Sequence, residues 1–132
     1  MSEWWRDRLM RIFLDTSVLS QKSLSELAEN LAERVVQGDR FLISVLTHFE
    51  VLWGYRKANL ASSHYDDFLM KLDVDVVPLL EEDALLAADK KPGKNKLVNA
   101  LVAATVTRYD AFVWTRDHDL SQFLPEEKIT IL

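Results

Sequence analysis

The chain has no cysteine, which removes disulfides, thiolate metal sites and thiol nucleophiles together. Long apolar runs are missing too: none approaches the roughly 20 residues that a membrane-spanning helix needs. Residues 1–11 carry charge of both signs and no continuous apolar stretch, unlike an export signal. A basic excess is also lacking, with 16 Lys and Arg against 21 Asp and Glu and a formal net charge of −5 over 132 residues. That balance argues against a nonspecific polycation coating nucleic acid, but it leaves open a nuclease whose acids surround metal ions. There are no internal repeats or low-complexity tracts. What is present is 48% apolar, and a chain of this length buries about two-thirds of the surface its unfolded form exposes. These features predict a cytoplasmic protein with no membrane contact and a single domain over residues 1–132, of which 1–10 are an N-terminal extension and 11–132 the core.

Short apolar runs alternate with helical segments. Ile12-Phe13-Leu14 reads as a buried first strand that stops at Asp15-Thr16-Ser17. Ser23-Leu24-Ser25-Glu26 reads as a capping box opening a helix with Leu27, Leu31 and Val35 at helical spacing, closed by Gly38. A second strand is expected over 41–43. A helix follows from 45 to about 59, with Leu46, Phe49, Leu52 and Trp53 on one side. A short helix over 63–72 and a strand over 74–77 come next, then a helix over 80–88 and a breaker, Lys90-Lys91-Pro92-Gly93-Lys94-Asn95. Residues 97 to about 109 are apolar nearly all round, describing a helix buried on most sides in which Asn99 stands out. Strands over 112–114 and 129–131 complete a three-layer α/β/α domain with a central, mainly parallel sheet of about five strands.

In open parallel α/β sheets, functional groups lie just beyond the carboxyl ends of the strands. Asp15 follows the first strand directly, and Asp117 and Asp119 follow the fourth by a short polar turn. Glu50 lies about two turns into the helix leaving the second strand. Converging carboxylates repel and raise one another's pKa unless a cation offsets them, and hard oxygen ligands favour Mg²⁺ or Mn²⁺. Each acid also has a plainer reading. Asp15 suits a turn cap, Glu50 fits a capping box in Thr47-His48-Phe49-Glu50, and Asp117 and Asp119 suit a solvated charged turn.

Four segments in order resemble the PIN-domain family, and within it the compact VapC-type toxins. Ile12-Phe13-Leu14-Asp15-Thr16-Ser17-Val18-Leu19 is similar to the family's opening strand and first acid. Ser44-Val45-Leu46-Thr47-His48-Phe49-Glu50-Val51-Leu52-Trp53-Gly54 is similar to the helix bearing the second. Thr115-Arg116-Asp117-His118-Asp119-Leu120 resembles the closing motif, which implies Asp117 as the fourth acid and Asp119 as a supporting one. Val98-Asn99-Ala100-Leu101-Val102-Ala103-Ala104-Thr105 matches the segment that usually carries the third acid, but here Asn99 takes its place. The resemblance implies a metal-dependent endoribonuclease, often homodimeric and often neutralised by a small antitoxin.

On that reading Asp15, Glu50, Asp117 and Asp119, with Asn99 as a neutral member, hold Mg²⁺ or Mn²⁺ for attack of water on an RNA phosphodiester, and Thr16 and Thr115 orient ligands or phosphate oxygens. An amide oxygen at Asn99 lacks the full charge that offsets a divalent ion, so metal affinity falls. The plainer reading has Asn99 hydrogen-bonded within a buried helix. Lys90, Lys91, Lys94 and Lys96, with Arg116 and with Arg56-Lys57, are the RNA-binding candidates; the alternative is a solvated lysine loop. Trp4 and Trp5 suit either packing on the domain or a contact with a second copy or an antitoxin. His118 falls within the closing motif, where a surface role suits it better than catalysis. The main rival function is a catalytically weakened PIN-like module that binds RNA or protein. A phosphoacceptor receiver lacks its paired acid and final lysine here, and a haloacid-dehalogenase-type phosphatase wants Asp where Ser17 stands.

Overall fold

Alternation within the short apolar triplets builds the centre of the molecule. In the computed structural model, which describes residues 9–132, β1 (Arg11–Leu14) sends Ile12 and Leu14 to one core and Phe13 to the other. The next strand, β2 (Arg40–Ser44), does the same with Phe41 and Ile43 against Leu42. This is the period-2 pattern of a sheet covered on both faces. With β3 (Asp75–Val77), β4 (Phe112–Thr115) and β5 (Ile129–Ile131) they form a sheet of order β3-β2-β1-β4-β5 in which every pairing is parallel. The three-layer expectation holds: α1 (Leu24–Val36) and α3 (Ser63–Lys71), with part of α2 (Val45–Lys57), cover one face. The other face is covered by α4 (Glu81–Asp89) and α5 (Leu97–Arg108).

The chain has only 3 glycines, yet every α-helix ends in a left-handed residue: Gly38, Asn59, Asp73, Lys91 and Asp110. Asn and Asp tolerate that conformation because their short polar side chains satisfy nearby backbone. Six-to-one bonds from Asp39 N–H to Arg34 C=O, Leu60 N–H to Tyr55 C=O, Val74 N–H to Leu69 C=O and Ala111 N–H to Val106 C=O close four of these ends as Schellman motifs. At Gly38, φ is +106°, a conformation that strains any other residue, and a Cβ there would also press on the exposed Leu9 side chain, 2.9 Å from its Cδ1.

Several local expectations are corrected. Neither capping box forms. Ser23 has helical backbone angles and makes no cap hydrogen bond; its hydroxyl pairs with that of Ser20 at 2.8 Å. The helix carrying Glu50 is instead capped by Ser44, whose Oγ accepts from Leu46 N–H, so Thr47 lies inside the first turn and Glu50 is not a capping partner. The buried stripe of α2 is Thr47, Val51 and Tyr55, whereas Phe49 and Trp53 are 64% and 54% exposed. α5 is enclosed only from Ala100 onward, with Leu97 and Val98 exposed. Short 3₁₀ turns at Thr16–Val18, Lys94–Lys96, Asp119–Gln122 and Glu126–Lys128 went unforeseen. Trp4 and Trp5 lie outside the described residues. Among the described residues no helix is long and apolar enough to cross a membrane.

Candidate acidic site at the switch point of the sheet

From β1 the chain runs outward through β2 and β3, then returns to place β4 on β1's other side. The crevice between the carboxyl ends of β1 and β4 is therefore the switch point, where open α/β sheets hold their ligands. Leu14 pairs with Trp114 in register, and Asp15 N–H donates to Trp114 C=O at 3.0 Å, so Asp15 and Thr115 leave their strands side by side.

Asp15 is clamped from below. Its Oδ2 accepts from Thr115 Oγ1 at 2.7 Å and from Ser17 Oγ at 3.0 Å. Thr115 is fully buried, so this hydroxyl is fixed in place. Ser17 Oγ in turn accepts from Arg116 N–H at 2.9 Å, and Thr115 Oγ1 accepts from Asp117 N–H at 3.3 Å. One pair of hydroxyls thus aims the first acid and draws in the backbone that carries the fourth. Ser17 escaped the reading of the sequence as a site residue, although its place two positions after Asp15 suits a hydroxyl that bonds back to a carboxylate.

The remaining acids join by single links. Thr16 Oγ1 donates to Glu50 Oε1 at 2.9 Å, tying α2 to the turn after β1. Asp119 N–H donates to Asp117 Oδ1 at 3.0 Å. Asp119 is itself engaged: Lys96 Nζ donates to its Oδ1 at 2.8 Å. Among the described residues no three His, Asp or Glu side chains stand close enough to hold a metal ion between them. Asp15, Glu50 and Asp117 nonetheless each keep one carboxylate oxygen with no hydrogen-bond partner among the described residues. Those oxygens are hard donors of the kind Mg²⁺ and Mn²⁺ prefer, so the donor set fits such an ion by its chemistry.

Asn99 is half-buried, and its amide finds no hydrogen-bond partner among the described residues, so the buried-helix partner of the plainer reading is not there. The lysine run divides. Lys90, Lys91 and Lys94 are exposed, while Lys96 turns into the site. Arg116 is exposed beside Ser17. Of the histidines, His48 Nδ1 pairs with the buried Tyr65 hydroxyl at 2.8 Å, whereas His64 and His118 are exposed. On the Glu50 side lies an open groove of about 360 Å³ lined in part by Thr16, Leu19, Glu50, Val51, Tyr55 and Leu60.

A family model for the PIN domain matches residues 12–123. No curated protein matches the chain. Among solved structures the fold is similar to VapBC2 from Rickettsia felis bound to a DNA fragment from their promoter, with TM-score 0.66 and 18% identity over 92% of this chain and 98% of that one. It is similar to VapBC-1 from nontypeable Haemophilus influenzae, with TM-score 0.66 and 21% identity over the same shares of 92% and 98%. It is also similar to VapBC-5 of Mycobacterium tuberculosis, a member of the VapBC family of toxin-antitoxin systems, with TM-score 0.55 and 20% identity over 92% and 97%. At these identities the likeness is one of fold.

Proposed function

The chain belongs to the PIN-domain family, and from that premise we propose that it is a metal-dependent endoribonuclease, the toxin member of a toxin–antitoxin pair. The observation that carries the reading is the hydrogen-bonded chain at the switch point, in which Ser17 and Thr115 aim Asp15, Thr16 holds Glu50, and Thr115 receives the backbone of Asp117. Hydroxyls spent on orienting carboxylates, each left with a free oxygen, suit acids that meet a cation above the sheet. Mg²⁺ or Mn²⁺ when bound supplies Lewis acidity and brings the pKa of a bound water toward neutrality. Asp15, Glu50 and Asp117 would hold it. Fixed below by buried Thr115, Asp15 loses no orientation entropy when a phosphodiester arrives, which is the gain of a preorganised site.

RNA reaches the site past the exposed Lys90, Lys91 and Lys94 and past Arg116, whose charges draw phosphate toward a chain of net −5. An antitoxin partner is supported by the fold's likeness to proteins of VapBC toxin–antitoxin systems. The exposed Phe49 and Trp53 beside Glu50 on α2 offer apolar surface for such a protein or for a second copy in a homodimer. Asn99 favours a second reading, a weakened module that binds RNA or protein, because it removes one charge from the site.

Cleavage of a single-stranded RNA with added Mn²⁺ tests the proposal. The wild type cuts and Asp15→Asn does not; cutting that survives Asp15→Asn refutes the assignment. If the wild type binds the RNA without cutting it and Asn99→Asp restores cutting, the weakened-module reading holds.

A further inference from the structure

Between β5 and the turns that lead into it from β4 lies a cleft that the acidic site does not use. It measures about 440 Å³ and is lined by His118, Ser121, Leu124, Glu126, Ile129 and Ile131. Strand register fixes its place. Ile131 pairs with Thr115, whose hydroxyl aims Asp15, and His118 stands between Asp117 and Asp119 in the chain. Since β5 lies one strand spacing, about 4.8 Å, beyond β4, the cleft continues the carboxyl edge of the sheet outward from the crevice between β1 and β4.

Glu126 sets the chemistry of this cleft. It is exposed, and its carboxylate has no hydrogen-bond or ion-pair partner among the described residues. Lys128, the cation nearest to it in sequence, is engaged elsewhere: it donates to Asp110 Oδ1 at 3.0 Å, and its ammonium lies 4.6 Å from the centre of the Phe112 ring, on the other face of the sheet. The exposed His118 sits on a turn tightened by Ser121 Oγ, which donates to His118 C=O at 2.6 Å. Leu124, Ile129 and Ile131 supply an apolar wall. An apolar wall, an imidazole ring and an unpaired acceptor are what an unstacked nucleobase needs, surfaces for its faces and a group to read its edge. No lysine or arginine lines the cleft, so it suits a base rather than a phosphate.

We propose that the cleft is a base subsite, taking a guanine of the RNA strand next to the nucleotide being cut, with Glu126 reading its edge. The inference rests on the RNA-cutting reading above and specifies its substrate. Guanine alone presents two adjacent N–H donors, at N1 and N2, that a carboxylate accepts as a parallel pair. Adenine and cytosine set one amino group beside an acceptor nitrogen that the carboxylate repels, and uracil sets one N–H between two carbonyls.

Short single-stranded RNAs that differ only in carrying guanosine, inosine or adenosine beside the cut test this with added Mn²⁺. The wild type cuts the guanosine RNA with kcat/KM roughly 5- to 150-fold above the adenosine RNA, and inosine, which lacks the N2 amino group, falls between. Glu126→Gln loses most of that difference, because an amide offers one acceptor where the carboxylate offers two. A wild type that cuts all three alike, or a preference that Glu126→Gln keeps, overturns the subsite and leaves the nuclease reading standing. Binding separates the two readings: 5′-GMP, and not 5′-AMP, shifts the NMR signals of His118 and Ile131 in the full chain without metal. If the wild type cuts no RNA, that nucleotide preference, abolished in Glu126→Gln, keeps the subsite while the nuclease reading falls. Its absence there brings down both.

Discussion

Two aspartates among the described residues accept hydrogen bonds from threonine hydroxyls, and their surroundings treat them in opposite ways. Asp83, on the first turn of α4, is 1% exposed and both its oxygens are filled. Arg108 reaches it twice, Nε to Oδ1 at 2.8 Å and Nη2 to Oδ2 at 3.1 Å, while Thr105 Oγ1 and Leu80 N–H donate to Oδ2 at 3.1 and 3.0 Å. Arg108 also donates to Pro78 C=O, so one ion pair ties the chain after β3 to both helices of that layer. Asp15 has two hydroxyl donors on one oxygen, nothing on the other among the described residues, and no guanidinium. Asp83 is sealed by the protein itself; Asp15 is oriented and left open toward solvent. Filled hydrogen-bonding capacity suits a carboxylate kept for stability, and the half-filled capacity of Asp15 suits the ligand-holding role proposed for it.

The largest effect that would sharpen this contrast is on folding. Arg108→Ala strands a buried carboxylate and should cost about 3–5 kcal/mol in urea unfolding, while the RNA cleavage of the folded fraction is unchanged. Asp15→Asn should do the reverse, lowering cleavage by about 10²–10³-fold with a stability change below about 1 kcal/mol. The contrast breaks if Asp15→Asn unfolds the protein as readily as Arg108→Ala does. Thr115→Val removes the hydroxyl that aims Asp15 and should reduce cleavage or Mn²⁺ affinity about 10- to 100-fold, as expected for an orienting partner.

Acid should separate the two sites more gently. Burial pushes the Asp83 carboxyl upward, but the bonds from Arg108, Leu80 N–H and Thr105 together outweigh it and hold its pKa below the usual carboxylate value. A depressed folded pKa adds stability above the unfolded value of about 3.9, and that stability is lost as pH falls through the lowered one. Thermal unfolding followed from pH 5 downward should lose part of its acid dependence in an Asp83→Asn variant. An unchanged profile would remove Asp83 from the acid-sensitive set.

How far the sequence carried this picture follows the range of the interactions involved. The triplets Ile12-Phe13-Leu14 and Phe41-Leu42-Ile43 announce buried strands by local composition, and Asp15 and Asp117 announce themselves by standing just past strand ends. Ser17 stands two positions from the acid it orients, a spacing the sequence displays, but Thr115 meets Asp15 across 100 positions and Lys96 meets Asp119 across 23, and no local signal encodes those. On α2, Phe49 and Trp53 look as able to face a core as Thr47, Val51 and Tyr55, and only packing against the sheet selects the second set. Asp83 hides for a related reason. An acid in a helix's first turn reads as solvated, and its burial depends on Arg108, 25 positions on.

The bond from Thr115 to Asp15 spans 100 positions of the chain, and this gives the site a history. During synthesis at about 5–20 residues per second, Asp15 waits on the order of 5–20 s for the hydroxyl that will aim it. β1 can pair with β2 early, but its other neighbour, β4, brings Thr115 only 100 positions after Asp15. A nascent chain still on the ribosome therefore lacks the aimed acid while it is surrounded by RNA. A site built on the aimed acid can form only after β4 has been made.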